Sequence, residues 1–212
     1  MSDSPARTAL LDAAEALFAT HGIGAVSNRR IVEAAGAANH SAISYHFGGR
    51  IGLLEALVTR HERQAIASRA EYPGPDSAST YDVLRSRIVP LALLLERLPQ
   101  PSWRARFLAH ARHDTDALPL LEAAARRSAA EIIENPPAID PTARTIIRAR
   151  AGLVANMVMG VLAQHEAQRE AGTAEGTWLD VAYFLVDAAA GMIDAPITYT
   201  GPVPRDAGVP LI

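Results

Sequence analysis

Ser27–Arg50 reads SNRRIVEAAGAANHSAISYHFGGR. Ser27 can accept a hydrogen bond from the first free amides of a helix, and Gly36 suits the left-handed residue that ends one. Asn39 is the predicted cap of a second short helix, and Gly48-Gly49 interrupts the chain after it. Two short helices joined by a turn that contains glycine are typical of the helix-turn-helix, whose second helix enters the major groove of DNA. The segment therefore predicts a DNA-binding unit.

Helical periodicity continues on both sides of this segment. Ser4-Pro5 is typical of an N-cap followed by proline at the first helical position. Pro90 predicts a kink or a break inside a later helix. The chain shows no convincing alternation of apolar and polar residues, so the predicted fold is all-α. We predict helices over about 5–21, 28–35, 40–46, 50–70, 80–98, 103–113, 118–134, 141–170 and 176–193.

The composition is typical of a soluble globular protein without redox chemistry. The 212 residues are 49% hydrophobic, carry a net charge of −3 and include no cysteine. The lack of cysteine excludes disulfides, thiolate zinc sites and cysteine nucleophiles, and it fits a reducing cytoplasm. The N-terminus lacks the features of a signal peptide, and the most apolar windows, 91–95 and 181–193, are too short or too interrupted to span a bilayer. We expect a cytoplasmic protein that binds neither a membrane nor a cofactor.

The run from Leu10 to Leu57 resembles the TetR family of bacterial transcriptional regulators. The resemblance rests on LLDAAEALFATHG at 10–22, on Ala35-Gly36, and on ISYHFG at 43–48 followed by Arg50. It implies a regulator of transcription, most commonly a repressor, that leaves a palindromic operator when a small molecule binds. It also implies a helix-turn-helix domain at 1–49, a linking helix at 50–70, an effector-binding and dimerisation domain at 71–194, and a Pro/Gly-rich tail at 195–212.

Ten residues are the predicted contacts with double-stranded DNA. In a helix-turn-helix, the early residues of the second helix face base edges, while neighbouring helix ends hold the phosphates. For Tyr45, His46 and Arg50, contacts with backbone phosphates are implied by the resemblance. Each residue taken singly could equally be a packing group or a solvated charge, whereas the whole set is far more specific. The predicted residues are Ser27, Arg29, Arg30, Asn39, His40, Ser41, Ser44, Tyr45, His46 and Arg50.

The C-terminal half carries two further predicted sites. The helices at 141–170 and 176–193 are apolar on more than one side, so each must be covered twice. The resemblance implies that they pair with a second copy in a four-helix bundle; burial within one subunit is the alternative. We expect a small, partly apolar effector in the space between predicted helices 5 to 8. Aromatic and methionine residues at helical spacing are more often part of the core than of a ligand site. The candidate lining residues are Leu94, Trp103, Phe107, His110, Met157 and Val161.

Two other classes of protein fit the sequence less well. His110, His113, Asp114 and Asp116 could offer ligands to a metal, but they end a helix, where capping and surface roles are favoured. The sequence has no nucleophile elbow, phosphate-binding loop or dinucleotide fingerprint, so we predict no enzyme. The alternative to a regulator is a ligand-binding or adaptor protein with a TetR-like fold that does not bind DNA. Salt-dependent DNA affinity separates the two.

Overall fold

The computed structural model describes residues 4–37, 39, 41–75, 77, 79–130, 141–199 and 201–202. Within that part of the chain, the regular elements are all α-helices, which confirms the predicted fold class. The helices are α1 Pro5–His21, α2 Asn28–Ala34, α3 Ala42–Phe47, α4 Arg50–Glu71, α5 Thr80–Arg97, α6 Arg104–Ala111, α7 Leu118–Ala130, α8 Pro141–Ala171 and α9 Trp178–Asp194. The predicted residues 131–134 of α7 lie outside the described residues.

Short-range capping sets the first helix boundaries. The Ser4 hydroxyl accepts the Arg7 N–H at 3.3 Å, and the Ser27 hydroxyl accepts the Arg30 N–H at 3.2 Å. Both serines occupy N-cap positions, as predicted. Gly48 ends α3 with φ = 72°, a left-handed conformation that glycine adopts without steric cost. Each boundary therefore depends on a few neighbouring residues.

The start of α3 differs from the prediction. Ser41, not Asn39, occupies the N-cap position, and its side chain makes no capping hydrogen bond. The Asn39 side-chain oxygen accepts the Ser41 N–H at 2.9 Å, and the Asn39 carbonyl accepts the Ala42 N–H at 3.0 Å. Asn39 therefore shapes the turn before the helix, and α3 begins two residues later than expected.

The N-terminal domain, α1 to α3, packs on the first turns of α4. A Cβ atom added at Gly52 would overlap the carbonyl oxygen of Phe47, because α4 passes directly beside the end of α3. Only glycine allows this approach without a shift of the backbone. The largest side chains buried in this part of the core are Leu10, Leu11, Phe18, Ile31, Ile43, Leu53, Leu54 and Leu57.

The C-terminal body, α5 to α9, is built from two main helix pairs. Helix α5 packs along α9, and α6 packs along α8. Trp178 and Phe107 are fully buried between these elements. Helix α4 contacts α5 and α7, while α1 contacts α6, so two helices join the N-terminal domain to the body. Helix α5 runs through Pro90 without a break, so of the two predicted outcomes the break is wrong, while a kink stays a prediction.

One helical segment among the described residues, Ala143–Ala171, is long and apolar enough to cross a membrane by length and composition alone. The sequence analysis did not single it out. However, 44% of its most apolar window is buried inside the protein, and it carries the buried Glu166. A core helix passes the same test, so the segment does not indicate a membrane protein.

Candidate DNA interface and effector cavity

Helix α3 presents opposite faces to the protein and to solvent. Ala42 and Ile43 are buried, whereas Ser41, Ser44 and Tyr45 are exposed. Residues three and four apart share one side of a helix, so the three exposed side chains form a continuous polar face. Tyr45 is 82% exposed, which is unusual for a large aromatic side chain. The exposed side of α3 therefore has the polar character that suits contact with a DNA groove.

The His46 ring supports Tyr45. The two rings meet edge to face, with centroids 4.9 Å apart and an interplanar angle of 83°. His46 itself is half-buried and lies 6.3 Å from the Phe47 ring. The aromatic run after Ser44 therefore combines one exposed ring with two rings that anchor it to the domain.

Two arginines extend the exposed surface onto α2. Arg29 pairs with Glu33 one turn later, at 2.7 Å, and its side chain is 78% exposed. Arg30 lies 2.7 Å from the His21 ring nitrogen. Hydrogen bonding to Glu33 raises the pKa of Arg29, but solvent-exposed pairs contribute little to stability and rearrange readily. Both guanidinium groups are therefore available to a phosphate, next to the exposed Ser27.

Arg50 has a different environment from the one predicted. Its guanidinium donates to the Asn28 side-chain oxygen at 3.3 Å and to the Ile23 carbonyl, and it lies 5.1 Å above the Phe18 ring. These contacts tie the start of α4 to the turn between α1 and α2. The position favours a structural role for Arg50, and phosphate contact by this residue stays a prediction. His40, also predicted to contact DNA, lies outside the described residues.

A cavity lies among α4, α5, α6, α7 and α8. Its volume is about 30 Å³. Of the predicted effector-binding residues, only Leu94 lines it. The lining residues are His61, Ala65, Leu91, Leu94, Arg104, Leu108, Arg112, Leu121 and Met159.

The other five predicted residues lie elsewhere. Phe107 is fully buried and stacks on Phe18, with ring centroids 6.1 Å apart. Trp103 is covered by the Arg106 guanidinium at 4.5 Å, and His110 is exposed. Met157 and Val161 pack, half-buried, against the core. Their role toward an effector stays a prediction that this cavity does not support.

A buried carboxylate lies behind the cavity. Glu15 of α1 is 7% exposed, and Arg60, His61 and Arg104 surround it. The His61 Nε2 atom is 3.0 Å from the Glu15 carboxylate, and the Arg104 Nε atom is 3.5 Å away. Burial by itself raises the pKa of Glu15, but His61, Arg104 and Arg60 together lower it to about 2. Glu15 is therefore ionised at neutral pH.

The cavity wall is rich in positive charge. Arg104 is 4% exposed, and its Nε and Nη1 atoms have no hydrogen-bond partner among the described residues. Arg112 donates from Nε to the Asn156 side-chain oxygen at 2.8 Å, and burial lowers its pKa to about 10. Burial also lowers the pKa of His61 to about 4, so this ring is neutral at neutral pH.

Sequence reasoning missed these charged residues. Arg104 and Leu108 of α6 and Arg112 at its C-cap recur every four residues, and all three are buried. An arginine spaced with apolar neighbours along one face of a short helix is the signal that could have identified them. It was overlooked because arginine usually belongs to a solvated surface.

Comparison with known proteins agrees with this geometry. Residues 10–57 match the model for "Bacterial regulatory proteins, tetR family". The fold is similar to that of a TetR family transcription regulator from Marinobacter aquaeolei VT8, with a TM-score of 0.51 and 21% sequence identity. The match covers 89% of this chain and 95% of that chain.

Among curated proteins, none matches the sequence. The family match covers the helix-turn-helix segment, and the solved structure shares the fold of this chain. The predicted resemblance of residues 10–57 to the TetR family of bacterial regulatory proteins is thereby confirmed.

Proposed function

We propose that the protein is a sequence-specific repressor that binds a palindromic operator as a homodimer and dissociates when a small effector binds. The observation that carries this proposal is the exposed face of α3, where Ser41, Ser44 and Tyr45 lie together on the outer side of a helix-turn-helix. Hydroxyl groups can bond base edges or phosphates, while the Tyr45 ring can contact the sugar-phosphate backbone.

Phosphate contacts account for most of the expected affinity. Arg29 and Arg30 flank the start of α2, and each carries a guanidinium that can bind a phosphate with two hydrogen bonds. Each such contact displaces counterions from DNA, so affinity must fall steeply as salt rises. Sequence preference should instead depend on α3, because its residues face the groove.

A second copy of the chain is part of the proposal. One helix-turn-helix buries too little DNA for tight binding, whereas two related by a two-fold axis can bind half-sites about 34 Å apart. Helices α8 and α9 leave apolar side chains in solvent: Phe184 is 67% exposed and Leu153 is 50% exposed. Covering these side chains in a dimer removes apolar surface from water. We infer that this face forms the dimer interface.

The first experiment is selection of bound duplexes from a random DNA pool by the purified protein at near-physiological salt. Enrichment of an inverted repeat with half-sites one turn apart supports the proposal. Failure to enrich any sequence at any salt concentration would contradict it and favour a helical ligand-binding protein that does not bind DNA.

A matched pair of variants then tests the docking surface. Arg29→Ala should weaken binding to all sequences and lower the salt dependence by about one counterion. Arg126→Ala is the control, because Arg126 is 71% exposed on α7 and pairs with Glu122 one turn away, as Arg29 does with Glu33. Equal effects of the two variants would exclude α2 from the interface.

Ser44→Ala tests sequence preference separately. The change removes one exposed hydroxyl from α3 and leaves the buried side of the helix intact. It should alter the ranking of operator sequences more than the affinity for random DNA. An unchanged ranking would show that this position does not read the bases.

A further inference from the structure

The cavity between α4 and α8 has a wall of mixed character. Leucines, an alanine and a methionine cover most of it, while Arg104, Arg112 and the neutral His61 supply the polar groups. None of the described residues that line it is acidic. An occupant that satisfies both parts of this wall has an apolar body and a single anionic group.

Arg104 is the residue best placed to bind that anion. Its side chain is almost completely buried, and its Nε and Nη1 hydrogens find no acceptor among the described residues. A guanidinium has five N–H donors, and a carboxylate matches two of them in parallel. The closest carboxylate, Glu15, is 3.5 Å away and is shared with Arg60 and His61. The donors of Arg104 thus exceed the acceptors that its surroundings provide.

Arg112 adds a second positive charge to the same wall. It follows α6 directly and lies two helical turns after Arg104. Its Nε hydrogen is committed to Asn156, so Arg112 contributes charge to the cavity while Arg104 contributes open donors. We take a carboxylate as that anion, because its two oxygens match two parallel N–H groups of one guanidinium.

The same guanidinium also joins the two parts of the protein. Glu15 belongs to α1 in the N-terminal domain, whereas Arg104 begins α6 in the body. Helices α1 and α6 form the direct contact between these parts, and the Phe18–Phe107 ring pair lies in it. An anion that binds Arg104 from the cavity competes with Glu15 for the positive charge of the same guanidinium, whose Nε lies 3.5 Å from the Glu15 carboxylate. Occupation of the cavity therefore opposes the attachment of α1 to α6.

We propose that the cavity binds a small amphipathic carboxylate through Arg104, and that this binding loosens the Glu15–Arg104 contact that holds the N-terminal domain against the body. The proposal rests on the proposed function in one respect: the cavity is taken to be the effector site. The cavity holds only about two water molecules at ~10–15 Å³ each, so a ligand must widen it. His61 and Ala65 line it from α4, so the wall against which the ligand packs includes the helix that leads to the DNA-binding domain.

The first test compares probes of one shape and different charge on the unaltered protein. Binding of hexanoate, hexanol, hexylamine and hexyl phosphate is measured by titration calorimetry. We expect hexanoate to bind at least tenfold more tightly than each of the other three. Hexanol or hexylamine binding as tightly as hexanoate would overturn the inferred anion site, and tighter binding of hexyl phosphate would overturn the choice of a carboxylate.

Variants then assign the site. Arg104→Gln should weaken hexanoate binding at least tenfold and leave hexanol binding unchanged. Arg126→Gln, on the exposed side of α7, is the matched control and should bind hexanoate as the unaltered protein does. Circular dichroism and the Tm establish that each variant is folded. If Arg104→Gln does not fold, the charge comparison on the unaltered protein still decides the proposal.

The coupling has its own measurement, which does not require DNA. Hexanoate should increase amide hydrogen exchange in the second half of α1, and Glu15→Gln should bind hexanoate more tightly while losing that response. Unchanged exchange at saturating hexanoate would overturn the loosening of α1. If DNA selection fails but these results hold, the effector site stands and the proposed repressor does not. If DNA selection succeeds and hexanoate does not bind, only this inference is overturned.

Discussion

His61 should make the stability of the protein sensitive to mild acid. The ring is 3% exposed on α4, lies 3.0 Å from the Glu15 carboxylate and contacts the Phe107 ring edge to face at 5.2 Å. Burial lowers the pKa of His61 from 6.5 to about 4, because Glu15 offsets the burial only in part and both Arg104 and Arg60 oppose protonation. The folded protein therefore resists a proton that the unfolded chain accepts.

The size and the pH range of the effect follow from these values. A pKa that moves from 6.5 to about 4 corresponds to about 3 kcal/mol, at ~1.4 kcal/mol for each pKa unit. This contribution to the free energy of unfolding is fully present above pH 6.5. It decreases as the pH falls, because the unfolded chain binds more protons than the folded chain, and it is lost below about pH 4. The pKa of Glu15 is also lowered, to about 2, so protonation of Glu15 at still lower pH further decreases the free energy of unfolding.

The assay is urea unfolding at several pH values from 7.5 to 4.5 for the unaltered protein, His61→Gln and His110→Gln. The exposed His110 is the control for removal of a histidine. The free energy of unfolding of His61→Gln should decrease with acid by about 2–3 kcal/mol less than that of the unaltered protein over this range. Parallel curves for the two would refute the argument that a buried neutral His61 causes the acid sensitivity.

Three further predictions concern packing and assembly. Gly52→Ala should lower the free energy of unfolding by about 1–3 kcal/mol despite the better helix propensity of alanine, because the added methyl group overlaps the Phe47 carbonyl; an unchanged Tm would contradict this close approach. Arg50→Met should cost about 1–3 kcal/mol in urea unfolding, since it removes hydrogen bonds to Asn28 and to a carbonyl; a residue that serves only DNA would leave stability unchanged. Phe184→Arg should shift sedimentation from dimer to monomer with unchanged helix content, whereas a persistent dimer would remove this part of α9 from the interface.

The predicted helix-turn-helix agrees with the structure where short-range interactions determine the helix boundaries. The caps at Ser4 and Ser27 and the left-handed Gly48 each depend on contacts within four residues. The exposure of Ser44 and Tyr45 follows from the same periodicity that buries Ile43. Contact of these side chains with DNA stays a prediction, which the variants described above can test.

Pro90 shows how packing keeps a helix continuous through a proline. Proline removes one backbone hydrogen bond from a helix, which predicted a kink or a break. In the structure, Ile88, Val89 and Ala92 around it are buried, and the Ser68 hydroxyl donates to the Pro90 carbonyl at 2.8 Å. Packing of α5 against α4 and α9 therefore outweighs the lost hydrogen bond, and the helix continues.

The effector site depends on tertiary packing that the sequence does not display. Trp103, Phe107 and Met157 are candidates mainly through the resemblance, since aromatic and thioether side chains at helical spacing are more often core. In the protein Phe107 fills the core instead, because burying large apolar side chains is what stabilises the fold. The remaining space adjoins Arg104 and Arg112, whose charges prevent close apolar packing.

The sequence by itself was sufficient for the all-α fold, most helix boundaries and the resemblance of residues 10–57 to a known family, because helix periodicity and caps operate over three or four residues. Only the tertiary structure decided the environment of each arginine. Arg29 is exposed, Arg50 bonds a carbonyl 27 residues away, and Arg104 faces both Glu15 of α1 and the cavity. The reason is physical: the free energy of a charge depends on how much water and which opposite charges surround it, and both are set by helices that are distant in sequence.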